Sequence, residues 1–201
     1  RGSALLGDAA VLVWNDVAAA GREQFYQWHD KEHIPERLAI EGFRRGRRYV
    51  KPGHSPEWLT FYEAGSLDVL VSPAYMARLN APTSATTRTL EYFENTSRAV
   101  CRVVHSLGSS SGGHVLAMRL EAPAAQGDAV VRHLVGSVFP AIAAKVGVLA
   151  CHLFVADQPA PVVDAKFLAA DGAGGGKTGG AAKGEWMPRK RVELHFQRHR
   201  S

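Results

Sequence analysis

The chain has 201 residues, 46% of them hydrophobic and 21% charged, with 24 lysines and arginines against 19 aspartates and glutamates. That length suits one domain of ordinary size or two small ones with a real hydrophobic core, and the composition excludes wholesale disorder, collagen and coiled coil. No run approaches the roughly 18 apolar residues of a membrane-spanning helix, and Arg1 to Asp8 is too short and polar for a signal peptide, so a cytoplasmic protein with no membrane partner is expected. The two cysteines, Cys101 and Cys151, lie far apart in apolar runs and read as reduced, buried thiols.

In chain order, Ala9 to Trp14 reads as a strand and Ala19 to Leu38 as a helix with Phe25 and Trp28 on its apolar stripe. Phe43 to Lys51 and Trp58 to Glu63 read as strands joined by the turn Pro52-Gly53-His54-Ser55-Pro56. Helical pieces follow over Ser66 to Leu79 and Ala85 to Glu94, broken at Pro73 and Pro82, and then a strand over Thr96 to Ser106. The order is β-α-β-β-α-β over residues 8–107. Residues 108–113, Gly-Ser-Ser-Ser-Gly-Gly, have the composition of a linker.

The pattern then restarts over residues 114–201: a strand (His114 to Leu120), a helix (Asp128 to Val146), a strand (Val148 to Ala156), a short strand at Ala165 to Ala170 and an alternating stretch from Arg191 to Arg198. No room is left for the last helix and strand of a full second copy. Two α+β units, each with one open sheet face, are expected to pack sheet on sheet into an α+β barrel.

Titratable side chains concentrate in Trp28-His29-Asp30-Lys31-Glu32-His33-Ile34-Pro35-Glu36-Arg37, followed by Gly42-Phe43 and the basic strand Arg44 to Tyr49. Its His-x-Pro, placed after strand one and before Gly-Phe, resembles the EthD-like and related dimeric α+β barrel proteins of the ferredoxin-like class. Trp28 stands five residues before His33; the family pattern has an aromatic about four before, where this chain has His29. The resemblance covers most of residues 9–106 and, more faintly, 114–156. It implies tandem ferredoxin-like units forming an α+β barrel, the second degenerate, with a small-molecule pocket that relatives build from two subunits; a homodimer stays open. It also implies lyase, dehydratase, isomerase or cofactor-free oxygenase chemistry on aromatic or polyketide-like ligands.

Within the motif His33 is the candidate acid/base, with Glu32 and Glu36 as partners, because an imidazole both accepts and donates protons near neutral pH. Trp14, Trp28, His29, Arg37, Arg48 and Tyr62 are candidate ligand contacts. Arg48, if it points inward, would grip a carboxylate or phenolate. A helix-end cap at His33 and a solvated strand face at Arg48 are the plainer alternatives. Strict alternation places Arg44, Gly46 and Arg48 on one face, with Phe43, Arg45, Arg47 and Tyr49 on the other.

His29 to His33 also spells the zinc signature H-x-x-E-H. A catalytic zinc needs a third ligand, and Pro35 is expected to close the helix just beyond, so no metal and no cofactor are assigned. Asp171 to Thr178 differs from a phosphate-binding loop at its first glycine and precedes a poor helix former, so it reads as a loop. The basic groups Arg189-Lys190-Arg191 and Arg198-His199-Arg200 come without a recognition motif and carry no nucleic-acid assignment. Two rivals to cofactor-free proton transfer remain: a haem- or oxygen-dependent monooxygenase on the same fold, and a non-catalytic binding or assembly protein.

Overall fold

The computed structural model describes residues 3–156 and 189–198. Among these, chain contacts define two compact units, one of residues 7–100 and one of residues 3–6, 101–156 and 189–198. The expected strand at Ala165 to Ala170 and the loop at Asp171 to Thr178 lie outside the described residues.

The first unit opens with strand β1 (Ala9–Val17), extended three residues beyond the alternating run because Val17 still reaches the core. A single turn at Ala19–Gly21 leads into helix α1 (Arg22–Trp28), a π-helical turn (His29–His33) and helix α2 (Ile34–Leu38). Strands β2 (Phe43–Val50) and β3 (Trp58–Ala64) form the expected hairpin, closed by Lys51 N–H to the Glu57 carbonyl at 2.9 Å. Next come a turn at Leu67–Val71, helices α3 (Pro73–Asn80) and α4 (Ser84–Leu90), and the first part of strand β4 (Phe93–Leu107). Side chains of Ser72 and Thr83 cap α3 and α4, and the expected breaks fall at Pro73 and Pro82; the second helix stops at Leu90, short of the expected Glu94, which belongs to β4.

The strand order β2-β3-β1-β4, with antiparallel β1–β3 and β2–β3 pairs, is the connectivity of a ferredoxin-like unit. All seven residues of β3 are buried, as befits a strand flanked on both sides.

Pro35 does not close the helix. The Ile34 N–H reaches back five residues to the His29 carbonyl, so the turn holds one extra residue. Proline is disruptive inside a helix because its ring meets the carbonyl four residues back; the widened turn places Pro35 in the first turn of α2, where its missing N–H costs nothing. The helix ends at Leu38, and in the turn that follows Gly42, with a φ of +94°, lets the chain reverse into β2.

Strict alternation in β2 is also corrected. Phe43 pairs with Ala64 and Arg45 with Glu63, so Arg44 is an extra residue in the ladder. The bulge rotates the strand, and Phe43 joins the core with Tyr62 and Tyr75 on the face where Gly46 meets Ile34 and Arg48 meets His29.

In the second unit, the part of β4 from Cys101, strand β6 (Val148–Ala156), strand β7 (Arg189–Arg198) and strand β5 (His114–Pro123) lie in that order, with antiparallel β4–β6, β6–β7 and β5–β7 pairs. Its helix begins earlier than expected and has the same three parts: α5 (Ala124–His133), a π-helical turn (Leu134–Val138) and α6 (Phe139–Ala143). Leu134 and Phe139 pack on Cys151, Leu153 and Val155 to make this unit's core. The basic triplet Arg189 to Arg191 opens β7, which covers the expected alternating stretch from Arg191 to Arg198.

Candidate functional site

The site forms where the π-helical turn of the first unit lies over β2 and β3. The turn presents His29 and His33 side by side, their rings 5.7 Å apart and 23° from parallel, while Trp28 faces His33 with centroids 4.3 Å apart. Below them, the Tyr62 ring stands edge-on to His33 at 6.2 Å. Phe25 stacks on the other side of His29 at 5.1 Å and Phe43 lies 6.4 Å from Tyr62, so the imidazoles sit in an aromatic shell.

His29 is buried and both its ring nitrogens are engaged. Arg48 Nη1 donates to Nδ1 at 2.8 Å, and Nε2 lies 3.3 Å from the Tyr62 hydroxyl. Arg48 also donates to both Asp30 carboxylate oxygens, at 2.7 and 3.3 Å, with its guanidinium 4.6 Å over the Tyr26 ring and 5.3 Å over Phe25. Arg48 therefore does point toward the helices and does hold a carboxylate, but the carboxylate is the chain's own. Burial, helped by the Arg48 charge, pushes the His29 pKa down to about 3. Both nitrogens of His29 are thus occupied, and no group of three metal-binding side chains occurs among the described residues.

His33 is half-buried, and its Nδ1 is enclosed with no hydrogen-bond partner. Burial first, and the Arg37 and His29 neighbours next, hold its pKa well below the ordinary histidine range, so the imidazole is neutral at physiological pH. Burial likewise raises the Tyr62 phenol far above its ordinary range, keeping it protonated. Arg37 is buried over the Tyr75 ring at 5.7 Å and 3.8 Å from Glu36, too far to hydrogen-bond, and its Nη1 too has no acceptor. The Tyr75 hydroxyl accepts from Arg98 at 2.8 Å.

The remaining candidates fall elsewhere. Glu36 lies between Arg37 and Arg78. Glu32 accepts from the Thr83 hydroxyl, and Trp28 Nε1 donates to Thr86 Oγ1 at 2.9 Å. Trp28, Lys31 and Glu32 line an open groove of about 560 Å³ between α1 and α4, with Gln24, Gln27 and Arg88. His33 does not line it; Trp28 is the residue shared by groove and imidazole pair. Trp14 alternates with Val13 on β1 and so occupies the sheet face away from these helices.

Sequence reasoning missed Asp30, Thr83 and Thr86. Asp30 was in view as a neighbour of His29, but its partner arrives from β2. The threonines carried only a helix-start signal at Ser84.

No family model and no curated protein matches the chain. Among solved structures it is similar to an "anthrone oxidase-like protein", with a TM-score of 0.59 and 14% identity over 98% of this chain and 75% of that one. The chain has the fold of the ferredoxin-like α+β barrel proteins. A "putative monooxygenase" from Lactobacillus acidophilus NCFM gives the same answer at a TM-score of 0.51 and 8% identity, over 94% of this chain and 77% of that one. At such identities the likeness of this chain to both is one of fold. No helix among its described residues is long and apolar enough to cross a membrane.

Proposed function

We propose that the chain carries two fused ferredoxin-like units of the EthD-like kind. In this reading the first binds a small aromatic, polyketide-type molecule, and His33 moves a proton on it without a cofactor. The observation that carries the reading is the enclosed Nδ1 of a neutral His33, without a hydrogen bond inside an aromatic shell, with a second buried polar atom that makes no hydrogen bond, Arg37 Nη1, nearby. Leaving buried polar atoms unsatisfied costs ~1–3 kcal/mol each, a cost a ligand would relieve.

The fusion is supported by matched helices. His29–His33 and Leu134–Val138 are both π-helical turns; each is followed by an x-Pro (Ile34-Pro35, Phe139-Pro140) and, seven residues after the proline, by a glycine at positive φ (Gly42, Gly147). In the second copy Leu134, Val138 and Ile142 stand where His29, His33 and Arg37 stand in the first. Its layer is apolar, so the proposed chemistry belongs to the first unit alone. Two buried cysteines, Cys101 and Cys151, fit a reducing, cytoplasmic setting.

In the proposed step, His33 takes a proton from a carbon beside an aromatic ketone. The C–H pair delocalises onto the ketone oxygen as an enolate, which Tyr62 and Arg37 steady, and His33 returns the proton at another carbon or to a leaving hydroxyl. The groove beside Trp28 is the proposed entrance. Hydroxylated anthraquinones are expected to quench the Trp28 fluorescence, and Trp28→Phe to remove that response. His33→Gln is expected to abolish ketone–enol exchange, followed as deuterium uptake into anthrone. Uptake unchanged in His33→Gln would overturn the acid/base role.

The "anthrone oxidase-like" neighbour favours a second use of the same proton removal. The anthrone carbanion would pass electrons to dioxygen, converting anthrone and O2 to anthraquinone and water. Oxygen uptake with anthrone separates the two readings, and a Soret band in the purified protein would mark a haem version instead.

A further inference from the structure

Hydrogen-bond direction in the His29 pair is fixed by its partners. A guanidinium has only donors, so Nδ1 of His29, 2.8 Å from Arg48 Nη1, must be the bare nitrogen. The neutral ring then carries its proton on Nε2, which donates to the Tyr62 oxygen at 3.3 Å. The phenolic O–H cannot point back at a nitrogen that already holds a proton. Nothing else described in the structure accepts from it, and Tyr62 is buried.

The chain of donors starts from a fixed anchor. Asp30 takes two of the Arg48 hydrogen bonds, and the Phe25 and Tyr26 rings hold the guanidinium plane. Phe25 stacked on one side of His29 and His33 on the other leave the imidazole little freedom to flip. Gly46 contributes by absence: a Cβ there would sit 3.1 Å from the Tyr62 ring.

We infer that Arg48 and His29 are positioning residues that lock the Tyr62 hydroxyl as a hydrogen-bond donor, so that the site takes a ligand presenting an oxygen acceptor, a ketone or its enolate, on an aromatic body. This rests on the binding reading above, and it adds what that reading left open: the chemical group Tyr62 recognises, and the residues that set its polarity. A donor aimed at a ketone strengthens as charge develops on the oxygen, which favours the enolate over the ketone. A site built this way discriminates against an analogue lacking the oxygen, because the buried donor is then left unpaired.

Two measurements separate the relay from the binding reading. Without ligand, long-range nitrogen–proton NMR of the full chain should show His29 with a bare Nδ1 and a protonated Nε2. Arg48→Lys, which keeps a donor, should preserve that tautomer, and Arg48→Met should lose it. With ligand, anthraquinone sulfonate should bind about 10-fold more weakly to Tyr62→Phe and to Arg48→Met, the loss of one hydrogen bond. Anthracene sulfonate, which lacks the ketone, should bind all three proteins equally.

A protonated Nδ1 in the wild-type protein, or an unchanged tautomer in Arg48→Met, overturns the relay. Equal weakening of both ligands by Tyr62→Phe overturns the recognition of the oxygen and leaves Tyr62 a packing residue. The expected tautomer with neither ligand bound by the wild-type protein leaves the relay standing and overturns the binding reading instead. Should Arg48→Met fail to fold, the wild-type tautomer and Tyr62→Phe decide the matter.

Discussion

Trp28 and His33 lie five residues apart in sequence, yet their rings face each other at 4.3 Å, the shortest ring separation in the aromatic shell around the imidazoles. In an α-helix neighbours on one face are three or four residues apart. The π-helical turn adds a residue, and this brings Trp28 onto His33 while keeping His29 beside it. The five-residue spacing from Trp28 to His33 is thus absorbed by the helix itself.

Trp28 is held by Thr86. The indole N–H is buried and Thr86 Oγ1 is its acceptor at 2.9 Å, so Thr86→Val keeps the shape and removes the acceptor. Urea unfolding should show a loss of about 1–3 kcal/mol, the cost of an unsatisfied buried donor. A midpoint equal to that of the parent would mean the bond contributes nothing.

Gly46 and Gly65 make a matched pair. At Gly46 a Cβ would meet Tyr62 at 3.1 Å and Ile34 at 3.2 Å, whereas at Gly65 the nearest atoms are at an ordinary 3.6 Å. Restricting the unfolded chain gains about 0.4–1 kcal/mol at either position. Overpacking costs ~1–3 kcal/mol and so outweighs that gain only at Gly46. Gly46→Ala should lower the melting temperature and Gly65→Ala should hold or raise it; the reverse order would contradict the packing around Tyr62.

Acid should destabilise the first unit through its imidazoles. Both His29 and His33 have folded pKa values below the ordinary 6.5, so between the folded and unfolded values the unfolded chain binds more protons. Their contribution is complete above pH 6.5 and is lost as pH falls, for His29 down to about 3. Each buried imidazole adds a slope of up to about 1.4 kcal/mol per pH unit. Urea midpoints measured from pH 8 to 5 should therefore fall below pH 6.5, and His29→Gln should flatten the fall; a pH-independent midpoint would refute the account.

On the opposite sheet face, Glu63 is buried and accepts from Arg45 Nε at 2.6 Å, Arg45 Nη2 at 3.1 Å and Arg47 Nη2 at 3.2 Å. Glu63→Gln keeps the volume but leaves two guanidinium groups facing no charge there. A loss on the order of 3 kcal/mol is expected in chemical denaturation, as for other broken buried pairs. Arg45→Lys, which keeps one charge but not the fork, should cost less.

Hydrophobic period and turn chemistry were enough to read the order of elements from the sequence. The β-α-β-β-α-β order, the hairpin turn at Pro52 to Pro56 and the breaks at Pro73 and Pro82 rest on local preferences, which act within a few residues and survive packing. His29 and His33 were legible as a pair because titratable and aromatic side chains in a helix-end motif are distinctive wherever they fold, whereas Arg48 and Tyr62 come from β2 and β3 and were singled out one at a time.

Only the tertiary structure decided the phases and directions. The extra residues in the His29 turn and at Arg44 change which side chains share a face, and neither leaves a propensity signature, because an inserted residue is favoured by what it packs against rather than by its type. The proton position on His29 has the same origin. It is set by a donor-only group delivered from β2 and a phenol from β3, and no stretch of sequence around His29 contains either partner.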